Sequence, residues 1–129
     1  MENTVTDADV AKWVRYGIAL AELRAPNFTQ KVLVVSTCHV PEKTNEALST
    51  MESHGLCFLS TDEIEFGHLI YVTDDKVILR ESVDGCEKCG HTELGKLIAL
   101  AAANGFNLLR LDRDGAILPE ILGFATFNW

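Results

Sequence analysis

The hydrophobic pattern changes period along the chain. From Thr6 onward apolar residues recur at helical spacing, with Val10, Trp13, Val14, Gly17 and Ala21 forming a stripe that Ile18 and Leu20 widen. Thr6 followed by Asp9 predicts a capping box at the start of this helix, and Ala25-Pro26-Asn27 predicts its end, because proline disfavours helical geometry in the residue before it. Val32-Leu33-Val34-Val35 then runs without alternation between Lys31 and the hydroxyls of Ser36 and Thr37, which predicts a strand covered on both faces. Pro41 suits a first helical position, Ala47, Leu48 and Met51 give a modest stripe, and His54-Gly55 a stop. Leu56 to Leu59 predicts a second short strand, so that strand, helix and strand form a βαβ unit with parallel strands.

In the second half Asp62 to Glu65 is expected as an acidic connection, Gly67 to Thr73 as a strand, and Val77 to Arg80 as its hairpin partner across the Asp74-Asp75 turn. Ser82 to Gly90 is expected as loop. Leu94, Leu97, Ile98 and Ala101 predict a helix stopped by Asn104-Gly105, followed by a strand at Asn107 to Asp112. Asp114-Gly115 predicts a hairpin turn with positive φ, and Ala116 to Leu118 a short edge strand. The aromatic tail, Phe124 to Trp129, is expected to pack back onto the body. The fold expected is α/β, with α+β as the alternative: a mixed sheet of about five strands with a βαβ unit and two to three flanking helices. One domain accounts for residues 1–129, with a helical extension at 1–26 and a core at 31–129.

Composition adds bounds. With 47% hydrophobic and 23% charged residues the chain is ordinary globular material, and no uncharged run suits a membrane span or a signal segment. A cytoplasmic protein is expected, in which Cys38, Cys57, Cys86 and Cys89 are thiols or metal ligands rather than disulfides. The net charge is −8, and residues 62–93 hold nine acidic residues against three basic ones, so most of the excess lies there. That balance argues against direct contact with nucleic acid, whose phosphates need Lys and Arg, and fits a protein partner with a basic surface. The oligomeric state is open.

Local chemistry is thin. Cys86-Glu87-Lys88-Cys89-Gly90-His91 has the spacing of one edge of a zinc tetrahedron, with Cys86, Cys89 and His91 as ligands, but no second pair completes a site, and exposed thiols in a loop are the simpler reading. Cys38 and His39 are neighbours on an extended chain and point apart, so they do not form a nucleophile and base, and His39 is expected as a buried hydrogen-bonded connector. Asp112-Arg113-Asp114-Gly115 opens like a calcium loop without its later ligands and is expected as a turn. No glycine-rich phosphate loop is present.

Three stretches, Leu33-Val34-Val35-Ser36-Thr37-Cys38-His39-Val40-Pro41, Gly67-His68-Leu69-Ile70-Tyr71-Val72, and Leu111-Asp112-Arg113-Asp114-Gly115 through Thr126-Phe127-Asn128-Trp129, resemble a small family of uncharacterised bacterial proteins carried mostly on plasmids, prophages and similar mobile elements. The resemblance covers residues 31–129. It implies a setting among accessory genes of mobile DNA and no established activity. Cys38, where the family pattern has a small residue, and the Cys86/Cys89 stretch depart from it, so a thiol or zinc role is not implied.

The function expected is that of a non-enzymatic acidic interaction protein, an inhibitor of a host defence complex of anti-CRISPR or anti-restriction type. Its contacts would be Asp62, Glu63, Glu65, Asp74, Asp75, Asp84 and Glu87, carboxylates that occupy a Lys/Arg channel meant for phosphates. No catalytic residue, metal or cofactor is assigned. The alternatives are a small enzyme or ligand-binding domain with its site at Thr37 to His39 near the Asp112–Gly115 turn, and an adaptor stapled by zinc.

Overall fold

The computed structural model describes residues 4–12, 14–15, 30–50, 56 and 58–129. The chain divides into two compact units, Met1–Gln30 and Lys31–Trp129. In the first, helix α1 is described at residues 7–12 and 14–15. Its capping box is formed: the Asp9 carboxylate accepts from the Thr6 N–H at 3.1 Å, and the Thr6 hydroxyl from the Asp9 N–H at 3.2 Å. Trp13, Gly17, Ile18, Leu20, Ala21 and the Ala25-Pro26-Asn27 stop lie outside the described residues, as do Met51, His54-Gly55 and Cys57.

The second unit is an α+β fold. Its elements run β1 (Val32–Ser36), a 3-10 turn (Thr37–His39), α2 (Glu42–Thr50), β2 (Thr61–Ile64), β3 (Gly67–Tyr71), α3 (Lys76–Lys88), α4 (Thr92–Ala103), β4 (Leu108–Asp112) and a second 3-10 turn (Glu120–Leu122). The four strands form one mixed sheet in the order β1-β4-β3-β2. β1 and β4 are parallel, with Val35 beside Leu111, while β3 is antiparallel to both β4 and β2. Val35, Ile70, Leu109 and Leu111 turn the inner face toward Ala47 and Leu48 of α2, Cys86 of α3, and Leu94, Leu97, Ile98 and Ala101 of α4, all in one buried core. Full burial of a leucine of this kind stabilises the fold by roughly 1.5–3 kcal/mol.

Several sequence-based expectations are corrected. β1 is covered on one face only: Val35 is 1% exposed, whereas Val32 and Val34 are 39% and 42% exposed. Leu56 and Leu59 are buried and linked by the Leu59 N–H to Leu56 C=O bond at 3.0 Å, while Phe58 is exposed in a turn, so none of the described residues of the expected strand is in one. Among the described residues there is accordingly no βαβ unit between 31 and 59, and the parallel partner of β1 is β4, from the far end of the chain. Of Asp62 to Glu65, expected as a connection, residues 62–64 belong to edge strand β2, where charges are tolerated because they deter pairing with other chains, and Glu65 alone is in the turn that follows. Val77 to Arg80 and most of Ser82 to Gly90 form helix α3 instead of a strand and a loop. Asp75 starts it as N-cap, its carboxylate accepting from the N–H groups of Val77 and Ile78. Leu79, Val83 and Cys86, at i, i+4 and i+7, were the helical signal, masked by an apolar run too short to separate the two periods.

Gly115 carries no positive φ and opens no hairpin. It lies so close to β1 that a Cβ there would stand 2.6 Å from the Val35 carbonyl group. Ala116 makes a single parallel bridge with Val35. The tail does pack back, with Phe127 N–H donating to Cys38 C=O at 2.7 Å and Trp129 Nε1–H to Val40 C=O at 2.9 Å. Among the described residues, no helix is long and apolar enough to cross a membrane.

Candidate functional site

At the carboxyl end of β1 the chain turns sharply. Ser36 caps the 3-10 turn by accepting from the Cys38 N–H at 3.1 Å, which aims Thr37 and Cys38 toward the end of the sheet. His39 goes the other way. Fully buried, its Nδ1–H donates to Ala125 C=O at 2.9 Å and its Nε2 accepts from the Leu118 N–H at 2.8 Å, which fixes the Nδ1–H tautomer. Phe124 stands edge-on to its ring at 6.4 Å. His39 is a connector that clamps the returning tail to the strand exit, as the sequence predicts.

The neighbouring wall comes from the β2–β3 hairpin. Phe66 holds φ +67, uncommon for a residue with a Cβ. Gly67 follows where β3 presses against β4: an added Cβ would lie 1.8 Å from the Leu111 carbonyl oxygen. The Arg113 N–H donates to Phe66 C=O at 2.9 Å, and the Arg113 guanidinium carbon lies 4.3 Å from the centre of the Phe66 ring. The turn carrying Arg113 is set by Asp112, whose carboxylate accepts from the Asp114 N–H at 2.9 Å and from Arg110 Nη2 at 2.9 Å. Chiefly through the Asp114 N–H, with help from the Arg110 and Arg113 charges, the Asp112 carboxyl is held below the ordinary range.

Between these walls lies an open cleft of about 490 Å³. Ser36, Thr37 and Cys38 enter it from the strand exit, Asn45 and Ser49 from α2, Glu63, Phe66 and His68 from the hairpin, Arg113 from the turn, and Asn128 and Trp129 from the tail. His68, 3% exposed, has its Nε2 3.0 Å from Asn45 Oδ1, as an N–H donating to that oxygen. Burial pushes the His68 pKa down, and the negative charge of Glu63, its cross-strand neighbour, works in the opposite direction. The cleft thus combines a stacked cation–aromatic platform, a buried imidazole fixed by an amide, one carboxylate, and several hydroxyl and amide groups.

The residues expected to contact a protein partner fall on several elements. Of these, Glu63 alone lines the cleft. Asp62 is beside it on β2 and accepts from the Tyr71 hydroxyl at 3.0 Å, while Glu65 is exposed in the β2–β3 turn. Asp74 and Asp75 precede α3, with Asp75 used as its cap, and Asp84 and Glu87 lie on the exposed side of that helix. Thr37 and Cys38 do meet the Asp112–Gly115 turn across the cleft, through Arg113. Asn45, Ser49, Phe66 and Asn128 carry no chemical signal in the sequence, because nothing in their spacing links them to one another or to His68 before the fold does.

In the Cys86 to His91 stretch, Cys86 to Lys88 belongs to α3, and Cys89 to His91 forms the short turn into α4. Cys86 is wholly buried in α3 against Gly95, and burial raises its thiol pKa to about 12. Cys89 is the exposed C-cap of the same helix. His91 is 4% exposed and shares a 2.8 Å hydrogen bond between its Nδ1 and Thr44 Oγ1. Among the described residues, no three His, Cys, Asp or Glu side chains are grouped so as to hold a metal ion.

In comparison with known proteins, a family model described as "Family of unknown function (DUF5983) C-terminal domain" matches residues 32–129. No curated protein and no solved structure matches the chain.

Proposed function

Because the chain belongs to this DUF5983 family, which brings no activity with it, we propose a function from the cleft itself: it binds a small planar, polar molecule of nucleobase or nucleoside size. What carries the reading is the convergence of Arg113 stacked on Phe66, the His68–Asn45 pair and Glu63 on a hollow of about 490 Å³, a size usual for small-molecule sites. A flat ring would lie against the guanidinium–aromatic platform, and the amides, hydroxyls and Glu63 would pair with its edge. One cation beside one carboxylate favours a neutral or zwitterionic ligand over a polyphosphate. The stretches by which the chain resembles mobile-element proteins also meet here, through Ser36–Cys38, Gly67–His68, Arg113 and Phe127–Trp129.

The test is a titration of isotope-labelled protein with a panel of nucleobases and nucleosides, read at the amide signals of Ser36, Gly67 and Arg113. Saturable shifts are expected that weaken at least tenfold in Arg113→Ala and in Glu63→Gln. A panel without a saturable member, or binding indifferent to both variants, refutes the reading.

A second reading rests on charge. Six of the eight net negative charges lie within residues 62–93, which supports an anionic interaction surface for a basic protein partner, in a mobile-element setting a defence complex of anti-CRISPR or anti-restriction type. Reversing Asp62 and Glu65, on β2 and its turn, to Lys should abolish capture of such a complex; binding that survives the reversals and is insensitive to salt counts against it.

A further inference from the structure

We propose that the outer face of α3, together with the groove it shares with α4, pairs with the same face of a second copy of the chain about a twofold axis. This proposal is independent of the cleft. Lys76, Arg80, Asp84 and Glu87 are spaced i, i+4, i+8 and i+11 along α3, so they share one side of the helix, and all four are exposed. Their charges are ordered, with both cations in the first half and both anions in the second. Beside this stripe lies a groove of about 490 Å³ floored by Leu79 and Val83 of α3 and by Ala99, Ala102 and Ala103 of α4. Val77, 67% exposed, borders the stripe on its other side.

An apolar groove edged by a charge stripe of this order is complementary to itself. Rotation by 180° about an axis crossing the middle of α3 sets Lys76 and Arg80 of each copy against Asp84 and Glu87 of the other, two favourable contacts from one arrangement. The alternatives fit less well. A uniformly basic partner would leave Lys76 and Arg80 against like charge, and a uniformly acidic one would do the same to Asp84 and Glu87. Within the chain the stripe is barely engaged: Arg80 Nε lies 3.9 Å from the Asp84 carboxylate, with side chains 85% and 54% exposed, a pairing that contributes little in water. The Ala99, Ala102 and Ala103 side chains are small enough for the partner helix to approach closely.

The test is sedimentation of the full chain over a concentration series, for the native protein and for two charge reversals, Lys76→Glu with Arg80→Glu, and Asp84→Lys with Glu87→Lys. The native chain should dimerise, less tightly as salt is raised. Each reversal alone should weaken association by about tenfold or more, because like charges then face each other. An equimolar mixture of the two should recover a heterodimer, since each now offers what the other lacks. A native chain that stays monomeric, a dimer kept by both reversals, or a mixture that does not recover overturns the proposal. Both reversals place acids near the helix start and bases near its end, as the helix dipole favours, so α3 should remain folded by circular dichroism. Were either to melt it, Val77→Ser, which leaves every charge in place, must weaken the native dimer, and a dimer unchanged by that variant equally overturns the proposal.

Discussion

Two hollows of about 490 Å³ each lie on the second unit, one at the exit of β1 and one between α3 and α4, and they are put together differently. The α3–α4 groove comes from consecutive helices joined by a short turn, so local helical spacing decides which side chains line it. The strand-exit cleft takes residues from places as far apart as Ser36, His68, Arg113 and Trp129. It exists only because β4 inserts between β1 and β3 and because the tail returns. A site made by distant segments should be sensitive to changes in the backbone that joins them, while a site made by neighbouring helices should absorb similar changes.

The sharpest way to break the contrast is to add one methyl group to a strand of the cleft and one to helix α3, on its side away from the groove. In Gly67→Ala the new Cβ would meet the Leu111 backbone oxygen at 1.8 Å, and neither strand can yield without losing the ladder. A loss of about 3–5 kcal/mol in thermal or denaturant unfolding is expected, with collapse of the cleft. In Gly85→Ala the Cβ would meet the end of the Phe58 ring at 2.8 Å. That side chain is half exposed and can swing away, and alanine favours a helix by up to about 1 kcal/mol. The net change there should stay within roughly 1 kcal/mol. Equal costs at the two glycines would remove the distinction.

A smaller effect is expected from the clamp on the tail. His39→Ala leaves the Ala125 carbonyl and the Leu118 N–H without their ring partner, a cost of about 2–4 kcal/mol. Proteolysis should then begin within residues 119–129 well before the helices are cut. Cleavage that starts elsewhere would show that the tail is held by other means.

The smallest effect sharpens the comparison through pH. Burial holds the His68 pKa below its ordinary value of 6.5, so on acidification the unfolded chain takes up a proton at that residue before the folded one does. Stability is therefore complete above about 6.5 and falls as pH drops through that value toward the lower folded one. His68→Gln should flatten this part of the stability curve, leaving the native chain steeper. Identical slopes for the two would mean that His68 does not report on the cleft.

Much of the fold was legible where the cause is local. The capping box at Thr6 and Asp9, the aliphatic β1, the helix over Leu94 to Ala101 with its Asn104-Gly105 stop, and the β4 strand all follow from period and caps. Helix α3 was not, because Asp74-Asp75 before Val77-Ile78-Leu79 is a hairpin turn and strand by composition and an N-cap and helix by geometry. β2 was missed because Thr61 to Ile64 carries acids that only an edge strand accepts. Of the cleft, the strand exit and the Arg113 turn could be named in advance; their meeting with His68, Asn45 and Phe66 could not.

By itself, then, the sequence determined an early apolar strand, capped helices, an aromatic tail that cannot stay in water, and an excess of acid in the later half. These depend on interactions between residues a few positions apart. Tertiary structure alone decided that β1 pairs with β4 rather than with the next strand, and that a histidine, an asparagine and a stacked arginine share one hollow. The entropic cost of closing a chain loop rises only slowly with its length, so the choice among distant strands falls to how the side chains pack once they meet, and spacing along the chain carries no record of that.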